Sequence, residues 1–101
     1  MSEVKTGLPA GAVFTLTVPL DRDKTKSATF HMKDIDEATY LAAKSLIDKG
    51  KDFDATRLMV KTLTIGGDSP DIIKDNFIAI NSAAKALIEL IKPVEGELKK
   101  N

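Results

Sequence analysis

The strongest constraint in this chain is a change of hydrophobic period partway along it. From Ala12 to Leu20 apolar side chains occupy every second position, at Ala12, Phe14, Leu16, Val18 and Leu20, with Val13, Thr15, Thr17 and Pro19 between them. A two-residue period places one set of side chains on one face of an extended strand. Asp21–Lys26 is polar and reads as a turn, after which Ala28, Phe30 and Met32 alternate with Thr29 and His31. Two such runs joined by a short polar stretch predict an antiparallel hairpin. Pro19 has no N–H to give a ladder, so it belongs at a strand end or on a free edge. A lone hairpin is marginal in water. Its apolar face therefore needs cover from the rest of the chain or from another subunit.

Beyond Lys33 the spacing becomes helical. Ile35, Ala38, Ala42 and Leu46 fall on one stripe with Leu41 beside it. Asp34 or Asp36 is placed to cap this helix, Glu37 adds negative charge to its first turn, and Gly50 stops it. A second helix, capped by Asp52 or Asp54, carries Ala55, Met59 and Leu63, flanked by Phe53, Leu58 and Val60, and ends at Thr64–Gly67. Gly66 is expected to take a positive φ there. Ser69-Pro70-Asp71 is a start signal, a capping hydroxyl followed by proline at the first helical position. Ile73, Phe77, Ile80, Ala84, Leu87 or Leu90, and Ile91 continue a 3.6-residue stripe. Asp75-Asn76 permit a break, so residues 70–92 form one helix or two. Pro93 ends or kinks the helix, and Val94–Asn101 is a polar tail. Strands first and helices after predict the α+β class: an N-terminal antiparallel β-hairpin followed by a three- to four-helix C-terminal bundle. Ser2, Gly7, Pro9 and Gly11 make residues 1–11 a flexible lead, and 12–101 a single α+β domain.

Composition removes whole classes of function. Fifteen basic residues balance fifteen acidic ones, which argues against a nucleic-acid binder and a polybasic membrane-surface module. Cysteine is absent and His31 is the sole histidine. Thiolate zinc sites, cysteine nucleophiles and multi-histidine metal sites are thereby excluded within one chain. Phe77–Ile91 is interrupted by Asn81, Ser82, Lys85 and Glu89 and is shorter than the roughly 20 residues a bilayer span needs. Met1–Gly11 shows no basic region followed by a long apolar run, so a cytoplasmic location is expected.

Each constellation of chemistry-bearing residue types has a plainer reading. Alternation puts His31 on the solvent side of its strand, with no recognisable triad partner nearby. Asp21-Arg22-Asp23 and Asp34-Ile35-Asp36 lack the twelve-residue calcium-loop pattern, and turn and cap chemistry accounts for them. Gly66-Gly67-Asp68-Ser69 lacks both the dinucleotide fingerprint and the P-loop lysine, and Asp68 would repel an anion. Lys85, Lys92, Lys99 and Lys100 are interleaved with Glu89, Glu95 and Glu97, a mixed-charge surface. No catalytic residue, metal ligand or cofactor site is assigned, and an enzyme is not expected. The last helix is different. Ile78, Ile88 and Leu90 widen its stripe beyond one face, and such a helix is either central or meets a partner. Phe77, Ile78, Leu87, Ile88 and Ile91 are the candidate partner contacts.

The lead, the strand Val13-Phe14-Thr15-Leu16-Thr17-Val18-Pro19-Leu20, the second strand, the two helices, Ile65-Gly66-Gly67-Asp68, the long helix and the Glu- and Lys-rich end at Glu95–Lys100 form a recognisable order. Over residues 12–101 this order resembles small tail assembly chaperone-like proteins of tailed phages and prophages, of the kind found in Bacteroidetes genomes. Thr64 stands where that pattern has an aromatic before the Gly-Gly. The resemblance implies a non-enzymatic role: binding the long, hydrophobic tape measure protein before the tail tube polymerises around it, and recruiting tube subunits. It implies a helical protein partner, and self-association that buries the chaperone's own apolar surface. A structural phage component, such as a minor tail or head–tail connector protein, is the alternative, and a small ligand-binding domain or enzyme is a third.

Overall fold

The computed structural model describes residues 8–101; the part of the expected flexible lead at 1–7 lies outside the described residues. Strands β1 (Phe14–Pro19) and β2 (Ser27–Met32) come first, then helices α1 (Glu37–Asp48) and α2 (Asp52–Leu63). Strand β3 (Thr64–Gly67), a 3-10 turn at Pro70–Ile73 and helix α3 (Phe77–Ile91) complete the order. The class is α+β, but strands lie on both sides of the first two helices in the chain. This corrects the hairpin-then-bundle expectation: β1-β2-β3 form one antiparallel sheet.

The alternating residues do what their period dictates. Leu16 and Val18 of β1 and Ala28, Phe30 and Met32 of β2 are buried. They face a helical layer in which α3 covers β1 and α2 lies over β2 and β3. Thr15, Thr17, Thr29 and His31 point to the opposite, open face. There Thr17 meets Thr29 and Thr15 meets His31 side by side across the strands. Met59, Val60 and Leu63 of α2, Ile80 of α3 and Ile73 of the 3-10 turn close the core.

β3 is short and half glycine. Gly67, at φ +90°, lies so close to β2 that an added Cβ would sit 2.4 Å from the Thr29 carbonyl oxygen. Asp68 then fastens the sheet end: its N–H donates to the Thr29 carbonyl, and its carboxylate accepts the Thr29 N–H, each at 2.8 Å. The positive φ expected at Gly66 belongs to Gly67. Gly66 is small for another reason: a Cβ there would press within 2.8 Å of the Pro9 ring, which lies across it on the open face.

Helix ends follow their local chemistry. Asp36 caps α1 by accepting the Thr39 N–H at 2.8 Å. At the other end Gly50 takes φ +77°. The Gly50 N–H donates to the Ile47 carbonyl at 2.9 Å and the Lys51 N–H to the Leu46 carbonyl at 2.8 Å, the paired bonds of a Schellman stop. Neither Asp52 nor Asp54 caps α2; both fall inside its first turn, where they suit the helix dipole. Ser69 caps the 3-10 turn, and Asn76 separates that turn from α3. Its Oδ1 accepts the Ala79 N–H at 3.0 Å, while its Nδ2 donates to the Leu20 carbonyl at 3.0 Å. Residues 70–92 are thus two elements.

The buried side of α1 also differs from the expected stripe. Thr39 and Ala43 face inward, Ala38, Leu41 and Ala42 face out, and Tyr40, Leu46 and Ile47 are half-buried. With α2 as its main neighbour, the helix is turned so that its small side chains allow close approach to that partner.

Candidate functional site

Because α1 packs on α2 and hardly touches α3, a cleft is left between α1 and α3 with α2 as its floor. At one end a hollow of about 380 Å³ is lined by Ile35, Tyr40, Leu90, Ile91 and Pro93, with Asp36, Glu37 and Lys92 around it. A narrower cavity of about 40 Å³ lies among Ile47, Asp52, Thr56, Met59, Ala84, Ile88 and Ile91. Ile91 lines both. The walls are aliphatic with one tyrosine. The charged rim is mostly acidic: Asp36, Glu37 and Asp52 against Lys92.

The five residues expected to form a contact surface do not lie together. Phe77 is 59% exposed and Ile88 39%. Eleven positions apart, they sit within about 20° of each other around the helix, and Ile88 lines the narrower cavity. Phe77 sets its ring edge against Phe53 of α2, centroids 5.8 Å apart. Ile78 is half-buried and lies about 100° round from Phe77. Leu87 and Ile91 belong to the hydrophobic core. The accessible part of the expected surface is therefore Phe77 and Ile88, with Ile78 facing elsewhere. Ile35, just ahead of α1, and Tyr40 and Ile47 on it are the wall that sequence reasoning missed. The signal available was the poverty of the α1 stripe, too alanine-rich to fill a helix–helix seam on both sides.

His31, Asp21 and Asp36 are each held against a threonine. His31 is half-buried on the open sheet face, its Nδ1 3.3 Å from the Thr15 hydroxyl oxygen. Asp21 closes the β1–β2 turn. The Thr25 hydroxyl, helped by backbone N–H groups of the turn, holds its carboxyl below the ordinary range. Asp36 is lowered in the same way, first by the Thr39 hydroxyl and then by the Thr39 N–H. Among the described residues, no group of three or more His, Cys, Asp or Glu side chains is placed to hold a metal ion.

No helix among the described residues is long and apolar enough to cross a membrane. Comparison with known proteins gives no match: no family model, no curated protein and no solved structure is similar to the chain.

Proposed function

We propose that the chain is a non-enzymatic protein-interaction module that holds an apolar helix of another polypeptide in the α1–α3 cleft, acting as a tail assembly chaperone-like protein on a tape measure-like partner. The observation that carries this reading is the cleft itself. Its aliphatic walls are set by elements that do not close on each other, and Ile88 stands exposed on one of them. An amphipathic helix laid in such a groove buries its stripe against Ile35, Tyr40 and Ile47 on one side and Ala84, Ile88 and Leu90 on the other. The acidic rim favours a partner whose stripe is flanked by lysine or arginine. Binding along a long, repetitive partner gains from many weak contacts.

The test is co-purification with a tape measure fragment and titration of the same fragment into the purified chain. Ile88→Asp places a charge on the cleft wall and should weaken binding at least about tenfold, with far-UV helicity unchanged. Ile78→Asp, about 80° round α3 from Ile88 and lining neither hollow, should bind as the parent does. Equal binding by parent and Ile88→Asp refutes the cleft as the site. Retention of the chain in purified virions would mark a structural component instead of a chaperone.

A further inference from the structure

The β1 edge carries a second surface, independent of the cleft. Two backbone bonds set the phase of the sheet. The Leu20 N–H donates to the Lys26 carbonyl at 2.9 Å, and the Asp68 N–H to the Thr29 carbonyl at 2.8 Å. In the register Leu16↔Phe30 and Thr17↔Thr29, the first bond assigns the even-numbered residues of β1 to pairing with β2. The second turns Thr29 toward β3, which requires the same phase. The N–H and C=O groups of Thr15 and Thr17 therefore point away from the sheet. β1 is an edge strand, with no strand beside it among the described residues.

Edge strands are ordinarily blunted by charge, bulges or cover. Phe14–Pro19 contains no charged residue. Its single blunting device is Pro19, at the end. Beneath the edge an apolar recess of about 200 Å³ opens between β1 and α3, lined in part by Phe14, Leu16, Leu87 and Leu90. Phe14 is 41% exposed although it lies on the covered side of the sheet.

We propose that β1 pairs with β1 of a second copy of this chain, antiparallel about a two-fold axis at Leu16, giving a continuous six-stranded sheet. The edge is self-complementary in that register. Thr15 faces the partner's Thr17 and Thr17 the partner's Thr15, so every outward donor and acceptor of the two threonines is used, in four hydrogen bonds. On the helix side Leu16 meets Leu16, and exposed Phe14 meets Val18. Slipping by two residues in either direction leaves a carbonyl facing a position with no donor. In one slip the Thr17 carbonyl faces Val13, whose N–H already donates to the Met32 carbonyl at 2.8 Å. In the other the Thr15 carbonyl faces Pro19, which has no N–H. A one-residue slip would send the core faces to opposite sides. One register remains, and its occupant is a strand with the same spacing of donors and gaps.

The experiment is sedimentation equilibrium on the full chain over rising concentration, with far-UV circular dichroism as the check on folding. The parent should show a concentration-dependent dimer. Thr17→Pro removes an N–H that the monomer does not use. It should weaken association about 30-fold, with one hydrogen bond lost from each copy. Should that variant fail to fold, a chain carrying Thr15→Lys and Thr17→Lys sets lysine against lysine on the open face and should be monomeric. Mixing it with a chain carrying Thr15→Glu and Thr17→Glu should restore a one-to-one dimer. A parent that stays monomeric at every concentration overturns the proposal, including the case in which the edge accepts only a foreign strand. So does a dimer that the lysine pair leaves intact. Neither result touches the Ile88 measurement, so the two surfaces fail or stand separately.

Discussion

Asn76 holds two parts of the fold together, and its substitution separates their contributions. Its carbonyl oxygen caps α3 through the Ala79 N–H, and its amide nitrogen reaches the Leu20 carbonyl at the far end of β1, both at 3.0 Å. Loss of an N-cap costs about 1 kcal/mol, and loss of a part-buried side-chain hydrogen bond about 1 kcal/mol more. Asn76→Ala removes both, so its expected cost is about 2 kcal/mol. For a domain of this size that corresponds to a fall in Tm of roughly 10 °C. Asn76→Ser keeps a capping oxygen but cannot reach Leu20, and should lose only about 1 kcal/mol. Urea denaturation of the three chains, followed by circular dichroism, measures the differences. The reasoning fails if serine costs as much as alanine, because the cap would then contribute nothing. It fails equally if alanine costs less than about 0.5 kcal/mol, since both bonds would then be idle.

Three further outcomes are expected. The Thr64 hydroxyl is buried without a hydrogen-bond partner among the described residues, so Thr64→Val should raise stability by about 1 kcal/mol in the same denaturation assay. Gly67→Ala meets both a positive φ and the Thr29 carbonyl; it should cost at least about 2 kcal/mol and raise amide exchange at Thr29 and His31 as β3 loosens. The Asp36 carboxyl is lowered by its bonds to Thr39. Its stabilisation is therefore present above the unfolded carboxyl range and lost as the pH falls through the lowered folded value. Acid unfolding monitored by circular dichroism should be shallower in Asp36→Asn, which caps without titrating.

The parts of the fold legible in the sequence are those decided within a few residues. Alternation at Phe14–Met32, the Gly50 stop and the Ser69-Pro70 start each act through the chain's own backbone, and each appears where its chemistry placed it. β3 had no such signal. Thr64-Ile65-Gly66-Gly67 has one β-branched aliphatic residue and two glycines, poor local strand formers. It is a strand because Gly67 can lie against Thr29 and Asp68 can clasp it, contacts made across nearly forty residues of chain. The exchange of roles between Gly66 and Gly67 has the same origin. One glycine answers to a backbone angle and the other to the Pro9 ring, and no local pattern distinguishes them.

The site was legible only as an excess of apolar surface on α3. A helix apolar over more than half its circumference does not announce which side faces in. Leu87 and Ile91 were drawn into the core because β1 and α2 flank α3, while Phe77 and Ile88 were left at the border. What makes that border a groove is the placement of α1, and this turns on two small side chains. Thr39 and Ala43 are the buried residues of α1, which packs on α2 and hardly on α3. A bulkier pair would tilt α1 and reshape the cleft without altering any residue that lines it. The same small-residue seam makes α1 the least anchored helix, since it buries two residues where α2 and α3 each bury five. Elements with little buried apolar area open first. Under the proposed reading, a cleft with one firmly seated wall and one loosely seated wall would adjust to helices of differing bulk.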